Sequence, residues 1–243
     1  MIVLFTDFGN NGPYVGQMKA AIYQVNPAAT IVDLFANAPG FNPHSCGYLL
    51  SAYSRYFPEG TIFLCVVDPG VGTDQRKAVV AEIDGQLFVG PNNGLFDVVA
   101  LHSETAIVSE ISWRPESLSA TFHGRDLFAP IAGYLSLGGC PKGYLGKAAG
   151  FFVEGVSHDL SEIVYIDDYG NAMTGIRVCS ISSAAILKVD GSDFLYANTF
   201  AAVPKGLSFW FKNSVGLAEL AINCGSAAEK FGLKTGDRIE VDA

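Results

Sequence analysis

Two carboxylates, an arginine and a histidine stand where apolar segments end or helices begin, the positions at which side chains can do chemistry. Asp7 follows the first apolar run, and Asp68 follows Thr61–Val67, the most apolar segment of the chain. A buried carboxylate is costly unless a cation accompanies it, and Arg76 follows Asp68 across a glycine-rich turn. His123 stands before a predicted helix, where neighbouring charges could tune its protonation. These residue types predict acid–base chemistry in a cleft.

The same residues are also compatible with structural roles. An aspartate before Pro-Gly is common in turns, so Asp68 could cap one. His123 could likewise serve only to begin a helix. Gly9, Gly12 and Gly16 match neither GxGxxG nor GxxxxGK, so they favour a tight strand-to-helix turn over a phosphate-binding loop.

The elements that must position these residues alternate between strands and helices. The predicted strands are Ile2–Phe5, Thr30–Phe35, Thr61–Val67 and the hairpin pair Lys77–Ile83 and Gln86–Val89. The predicted helices are Gln17–Gln24, His44–Tyr56, Asn93–Leu101 and Asp126–Leu137. This alternation predicts an α/β layered domain with a mostly parallel sheet. Ligands of such sheets bind beyond the carboxyl ends of the strands, which is where Asp7 and Asp68 fall.

The pattern changes past about Gly150, where short strands follow one another with little helix between them. These strands are Ile163–Ile166, Ala185–Val189, Leu207–Phe211, Leu217–Asn223 and Arg238–Val241. The pattern predicts a smaller all-β, barrel-like domain. We expect an α/β domain over residues 1–150, a β domain over residues 159–243, and a linker at about residues 146–159.

The composition excludes several classes of protein. The 243 residues include 15 Lys and Arg against 24 Asp and Glu, a net charge of −9, which argues against binding to nucleic acid or to an anionic membrane. Hydrophobic residues make up 49%, but no apolar run approaches the ~20 residues that span a bilayer. The five cysteines are scattered and form no CxxC pair, which predicts neither a disulfide framework nor a zinc site and favours the cytoplasm.

Five short motifs occur together in one order along the chain. They are TDFG (6–9), DPGVG (68–72), GPNNG (90–94), FHGRD (122–126) and DDYGN (167–171). With Asn213-Ser214 and the segment Gly216–Asn223 they cover the chain, which resembles the S-adenosyl-L-methionine (SAM) hydroxide adenosyltransferase family. This family of SAM hydrolases is related to the fluorinase and the chlorinase. The resemblance implies attack of water or hydroxide at the ribose C5′ of SAM, releasing adenosine and L-methionine, without a metal or cofactor.

The resemblance also implies roles for individual residues. Asp68 matches the aspartate of the family's Asp–Arg–His set, and His123 matches its histidine. Arg76 is the arginine near the expected position, although the family's arginine would align with Gln75. Asp7 resembles the carboxylate that holds the ribose hydroxyls.

The remaining substrate contacts follow from the same resemblance. Phe41 falls near an aromatic that packs against the substrate. Asp167 and Ser214 would hold the amino and carboxylate groups of the methionine part, and Tyr169 and Asn171 fall where the family contacts adenine. The family's site lies between the N-terminal domain of one subunit and the C-terminal domain of the next, so the resemblance implies a homotrimer.

Three other functions stay open on the sequence. The first is a halide-using adenosyltransferase. The related halogenases have an uncharged aromatic residue at the position of Asp68 and a threonine at the position of Val71. A carboxylate at the first of these positions repels a halide ion, so Asp68 favours hydroxide as the nucleophile. A metal-dependent phosphoesterase could use Asp7, Asp68, His123 and Asp167 as ligands, although no HxH or DxD cluster supports it. A non-catalytic protein that binds SAM or adenosine could have the same pocket.

Overall fold

The structure is a computed structural model that describes residues 1–73, 76–151 and 155–242. Gln75, the position that bears on the arginine assignment, lies outside the described residues, as do residues 152–154 of the segment predicted as a linker. The chain divides into two compact units, residues 1–156 and residues 157–243.

The first unit is built on one sheet with helices packed against it. Its strands are β1 (Ile2–Thr6), β2 (Ile31–Phe35), β3 (Ile62–Val66), β4 (Lys77–Ile83), β5 (Gln86–Asn92), β6 (Ala106–Ile111) and β7 (Leu145–Ala149). Its helices are α1 (Tyr14–Val25), α2 (Pro43–Ser54), α3 (Asp97–Leu101), a π-helical turn (Gly124–Phe128) and α4 (Ala129–Leu135).

The strands of this sheet follow the order β2-β1-β3-β5-β4-β6-β7. The four strands from β2 to β5 pair in parallel, and β4, β6 and β7 continue the sheet with antiparallel pairing. The predicted α/β class with a mostly parallel sheet is confirmed. In the register between β1 and β3, Thr6 lies opposite Val66, so the two strands end side by side. The residues that follow them therefore emerge at one edge of the sheet.

The central strands are apolar because both of their faces are covered. Every residue of β1 and β3 is buried. On one face Leu4 and Leu64 pack with α1 and α4 in a cluster that includes Met18 and Phe128. Continuous burial explains why Thr61–Val67 shows no alternation of polar and apolar residues.

Several elements differ from the sequence prediction. The helix predicted over Asn93–Leu101 forms only from Asp97, because Gly94 adopts a φ of +97° in the preceding turn. The helix predicted over Asp126–Leu137 is split into the π-helical turn and α4. Strands β6 and β7 were not predicted, and β7 overlaps the start of the segment assigned to a linker. Strand β6 has only two buried residues, Val108 and Ile111, and β7 forms the edge of the sheet, so neither has a strong apolar period.

The second unit consists of two antiparallel sheets around one core. Its strands are β8 (Leu160–Ile166), β9 (Ala172–Arg177), β10 (Ile186–Val189), β11 (Ser192–Phe194), β12 (Ser208–Lys212), β13 (Leu217–Ile222) and β14 (Glu240–Asp242). The sheets have the orders β12-β13-β9-β8 and β11-β10-β14. Trp210 is fully buried between them, and its indole N–H donates to Ala185 O at 2.9 Å. The predicted smaller all-β domain is confirmed as a fold class.

Three elements of this unit were not predicted. Strand β11 pairs with β10 across the turn Asp190-Gly191, and its three residues are too few to show a period. Strand β9 has an irregular pairing with β8, which weakens its two-residue period. The short helix α5 (Ala227–Phe231) begins at Ser226, whose Oγ accepts from Glu229 N, and ends at Gly232. Among the described residues of either unit, no helix has the length and apolar character required to cross a bilayer.

Candidate active site

Asp68 and Arg76 form a buried ion pair at the carboxyl end of β3. Arg76 Nε donates to Asp68 Oδ1 at 3.0 Å, and Arg76 Nη2 donates to Asp68 Oδ2. The arginine side chain is 7% exposed and the aspartate side chain 4% exposed. Two parallel hydrogen bonds fix both groups in one geometry and offset the cost of removing their charges from water.

His123 is the third member of this cluster. Arg76 Nη2 lies 3.1 Å from His123 Nδ1. A guanidinium can only donate, so Nδ1 must accept and the neutral ring carries its proton on Nε2. Burial and the positive charge of Arg76 lower the pKa of His123 below its ordinary value of 6.5, and Asp68 opposes that shift. The structure thus brings Asp68, Arg76 and His123 together through one guanidinium.

Close backbone contacts hold the cluster in place. Gly72 has a φ of +79°, and a Cβ at that position would lie 2.5 Å from Ala120 O. A glycine therefore lets the loop after β3 approach the segment that precedes the histidine. Asn93, from GPNNG, donates through Nδ2 to Val67 O at 2.9 Å and anchors the backbone just before the aspartate.

A cavity of about 640 Å³ opens beside this cluster in the first unit. Its lining includes Asp7, Phe41, Asp68 and His123. Arg76 does not line it and acts on it through its two partners. The volume lies within the range of roughly 300–1,000 Å³ that small-molecule sites occupy.

Asp7 holds the strained backbone of Phe41 at the cavity. Asp7 Oδ2 accepts from Phe41 N at 3.0 Å. Phe41 has a φ of +59°, and its side chain is 81% exposed. A non-glycine residue in this conformation costs about 1–3 kcal/mol, and such residues cluster at functional sites. Burial raises the pKa of Asp7 above its ordinary value; the Phe41 N–H opposes the shift and Asp68 adds to it.

Three aromatic rings form an apolar wall of the cavity, and the sequence analysis did not single them out. Phe8, Tyr14 and Phe122 pack mainly edge to face, with centroids 5.5 Å, 5.8 Å and 5.4 Å apart. Their positions carry a signal, because Phe8 belongs to TDFG and Phe122 to FHGRD. An apolar wall beside the ion pair excludes water and suits a nucleoside or thioether group.

Arg125 and Asp126 act mainly on each other. Arg125 Nε donates to Asp126 Oδ1 at 2.6 Å, and its Nη1 donates to Gln17 Oε1 at 2.9 Å. The guanidinium also lies 5.1 Å from the centre of the Phe122 ring. The sequence suggested that this pair could tune His123, but burial and Arg76 have larger effects on the pKa of His123 than Asp126 has.

The second unit has its own cavity of about 720 Å³. The predicted substrate residues Asp167, Tyr169, Asn171 and Ser214 all line it. Tyr169 is 81% exposed, whereas Asn171 is buried. The nine predicted site residues therefore fall into two groups, one in each unit.

Asp167 organises the turn between β8 and β9. Its Oδ1 accepts from Tyr169 N at 2.9 Å and from Asn171 N at 2.8 Å, and its Oδ2 accepts from Asn171 Nδ2 at 3.0 Å. Gly170 takes a φ of +79° within this turn. The DDYGN motif is thus an Asx turn that presents a tyrosine ring and an amide at the cavity.

Glu219, on β13, is a site residue that the sequence analysis missed. It lines the second cavity although it is only 4% exposed. Burial raises its pKa to about 7, Asp167 adds to the shift, and a hydrogen bond from Asn213 opposes it. The available signal was a lone glutamate inside the apolar strand Leu217–Ile222.

The described residues contain no group of three or more His, Cys, Asp or Glu arranged to hold a metal ion. Asp68, one of the ligands of the metal-dependent alternative, instead receives two hydrogen bonds from Arg76. The geometry gives that alternative no support.

Comparisons with known proteins match nearly the whole chain to one family. Residues 2–144 match the model of the SAM hydroxide adenosyltransferase N-terminal domain, and residues 161–240 match that of its C-terminal domain. An (R)-S-adenosyl-L-methionine hydrolase from Thermus thermophilus is 34% identical over 97% of this chain and 96% of its own. One from Methanocaldococcus jannaschii is 33% identical over 73% of this chain and 67% of its own. The crystal structure of a conserved protein from Thermotoga maritima superposes with a TM-score of 0.89 at 34% identity, covering 100% of both chains.

Proposed function

This chain belongs to the SAM hydroxide adenosyltransferase family, and we propose that it hydrolyses S-adenosyl-L-methionine to adenosine and L-methionine. Relatives that match it over nearly their full length are named SAM hydrolases. The observation that carries the proposal is the Asp68–Arg76–His123 cluster, buried beside a cavity of ligand size.

The reaction is a displacement at a primary carbon. The oxygen of water forms a bond to C5′ of the ribose while the bond from C5′ to sulfur breaks. The electron pair of that bond goes to sulfur, so the sulfonium becomes the neutral thioether of methionine, and one proton leaves the water. Holding water and C5′ in line lowers the barrier, since well-oriented intramolecular reactions gain up to about 7–11 kcal/mol.

In this proposal, Asp68 orients the attacking water and accepts its proton. Arg76 keeps that carboxylate in place, and its charge stabilises the hydroxide that develops. His123 contributes its Nε2–H as a hydrogen-bond donor, since Nδ1 is occupied by the guanidinium. The carboxylate also disfavours chloride or fluoride at the same position, because like charges repel strongly in a cavity of low dielectric.

The remaining assignments concern the substrate. We propose that Asp7 holds the ribose hydroxyls and that Phe41 packs against the nucleoside. Support comes from their joint position at the first cavity, where Asp7 fixes the backbone of Phe41.

The second cavity receives the rest of the substrate in this proposal. Asp167 and Ser214 hold the amino and carboxylate groups of the methionine part, and Tyr169 and Asn171 contact adenine. Support comes from the family resemblance and from the position of all four residues at one cavity.

We also propose a cytoplasmic homotrimer, with each site completed at a subunit interface, as the family resemblance implies. Light scattering coupled to size exclusion tests the assembly, and a stable monomer at micromolar concentration would contradict it. Cell fractionation tests the location.

Hydrolysis in ¹⁸O-labelled water tests the reaction itself. Attack at C5′ places the solvent oxygen in the 5′-hydroxyl, so mass spectrometry should find adenosine heavier by one ¹⁸O and L-methionine without label. Adenosine without label, or no adenosine, would contradict the proposal. Activity should persist in a chelator, because no proposed role belongs to a metal.

SAM exists as two epimers that differ in configuration at the sulfonium sulfur. The relatives are named hydrolases of (R)-S-adenosyl-L-methionine. In that name the L gives the configuration of the methionine α-carbon, so the (R) gives the configuration of the sulfonium sulfur. We propose the same preference here. With a mixture of both sulfur epimers, chromatography should find the (R) form consumed first.

A further inference from the structure

Glu219 lies on the floor of the second cavity, in the middle of the sheet β12-β13-β9. Its partner across the ladder on β9 is Met173, and its partner on β12 is Phe211. Both neighbours also line the cavity and neither carries a charge. A carboxyl 96% removed from solvent is therefore surrounded along the sheet by apolar side chains, so a function is needed to explain its position.

One carboxyl oxygen of Glu219 has a protein donor and the other has none among the described residues. Asn213 Nδ2 donates to Glu219 Oε2 at 2.9 Å. The amide orientation of Asn213 is fixed, because its Oδ1 accepts from Val215 N at 3.1 Å and from Leu217 N at 2.9 Å. No hydrogen bond in the described part of the chain reaches Glu219 Oε1. Oε1 is thus an acceptor without a protein donor, on a residue that lines a cavity, and a ligand in that cavity can supply the donor.

The charges around the second cavity indicate which kind of ligand group would donate to Glu219. Among its described lining residues there is no Lys, Arg or His, whereas Asp167 and Glu219 are both acidic. The oxygens of Asp167 already accept three hydrogen bonds from its own turn. Glu219 therefore has the larger remaining capacity to accept from a cationic group.

We infer that Glu219 binds the substrate directly, with Oε1 accepting a hydrogen bond from the α-ammonium of the methionine part. This inference rests on the proposed function, because it takes the amino-acid end of SAM as the occupant of the second cavity. It adds to that function a binding residue that sets specificity for a primary ammonium.

Titration of Glu219 supports the assignment and makes it measurable. Its pKa is raised to about 7, so both the protonated and the ionised carboxyl occur in empty sites near neutral pH. The other titratable groups at the cavity are Asp167, Tyr169 and Cys224, and the sheet neighbours on β9 and β12 are uncharged. An ammonium binds the ionised carboxylate, so it must displace that proton at low pH. Affinity should then rise with pH up to about 7 and level off above it.

The experiment is calorimetry of the full-length protein with L-methionine at a saturating concentration of adenosine. For the wild type we expect binding about tenfold weaker at pH 6 than at pH 8. Glu219→Gln keeps the size and the hydrogen bond from Asn213 but removes the charge. It should weaken L-methionine binding at pH 8 by about tenfold or more and remove the pH dependence. Its affinity for adenosine alone should stay unchanged.

The matched control is Glu240→Gln, an exposed glutamate on β14 in the same unit, which should bind both ligands as the wild type does. Wild-type methionine affinity in Glu219→Gln, or a surviving pH dependence, would overturn the inference. So would a loss of adenosine binding in place of methionine binding, which would put Glu219 at the adenine.

A measurement on the wild type covers the case in which Glu219→Gln fails to fold. Calorimetry at pH 7 in buffers of different ionisation enthalpy should give a release of about half a proton per L-methionine bound. No release would overturn the inference. If the wild type hydrolyses SAM but fails these tests, the inference alone is wrong; if it binds neither product and releases no adenosine, the proposed function is wrong and the inference with it.

Discussion

Arg76 Nη2 lies 3.1 Å from His123 Nδ1, and because a guanidinium has no acceptor, this contact fixes the histidine as the neutral Nε2–H tautomer. The same guanidinium holds Asp68 through two hydrogen bonds. One cation thereby decides how a carboxylate and an imidazole face the cavity.

Replacing Asp68 by asparagine should lower kcat by at least about a hundredfold, because the amide cannot accept the proton of the attacking water. KM should change little. Adenosine release measured by chromatography checks this. Asp33→Asn is the matched control, since Asp33 is a half-exposed aspartate on the same sheet that pairs with Lys19, and it should retain wild-type activity. Full adenosine production by Asp68→Asn would show that its proposed role is wrong.

Arg76→Lys should lower kcat by about tenfold to a hundredfold. An ammonium is a point charge and cannot reproduce the fork that reaches Asp68 and His123 together. Steady-state kinetics with SAM measure the effect. Arg55→Lys, at the exposed end of α2, controls for the general effect of the exchange. Activity within twofold of the wild type would mean that the guanidinium geometry does not matter.

The pH dependence of kcat should contain an acid limb that belongs to His123. Burial and Arg76 lower its pKa, so the ring stays neutral at pH values where an ordinary histidine with a pKa of 6.5 is half protonated. As pH falls through this lowered pKa, protonation of Nδ1 breaks the contact with Arg76, and kcat should fall. His123→Asn keeps an acceptor oxygen and does not titrate, so its residual kcat should lack this limb.

The same shift has a consequence for stability. Between the ordinary pKa of 6.5 and the lowered pKa, the unfolded chain binds more protons than the folded chain at His123. The free energy of unfolding should therefore fall as pH decreases through this window, and His123→Asn should flatten that part of the curve. Urea unfolding at several pH values measures it. An unchanged slope in the variant would contradict the assignment of the pKa shift.

Phe41→Gly should separate stability from function. Glycine relieves the positive φ at a gain of roughly 1–2 kcal/mol, offset by about 0.5–1 kcal/mol of its own entropy, so the protein should be slightly more stable. Loss of the ring should raise KM by about tenfold. Asp190→Gly, at a φ of 47° in a hairpin of the second unit, is the control and should leave KM unchanged. If Phe41→Gly had the KM of the wild type, the ring of Phe41 would not contact the substrate.

Gly72→Ala should reduce kcat without altering the fold elsewhere. A Cβ at Gly72 would lie 2.5 Å from Ala120 O and would push the aspartate loop away from the histidine segment. Gly60→Ala has a similar φ of +75° but nothing within 4 Å, so it carries the strain without the clash. The ratio of the two kcat values measures the contact itself, and equal values would contradict it.

Much of the fold followed from local patterns. The buried strand Thr61–Val67 and the helix around His44–Tyr56 were predicted because apolar runs and proline stops act within a few residues. Strands β6, β7, β9 and β11 were not predicted. Strands β6 and β7 pair with partners that are distant in the sequence, β9 has an irregular ladder, and β11 has only three residues, so each leaves little periodicity to detect.

The sequence by itself determined which residues could do chemistry: Asp7 and Asp68 at strand ends and His123 before a helix, in motifs that identified the family. Only the tertiary structure decided how they act. It turned Arg76 into the bridge that sets the tautomer of His123, and it placed Glu219 at the same cavity as Asp167. Such relations follow from strand register and close packing, which join residues far apart in the chain and leave no trace in local spacing.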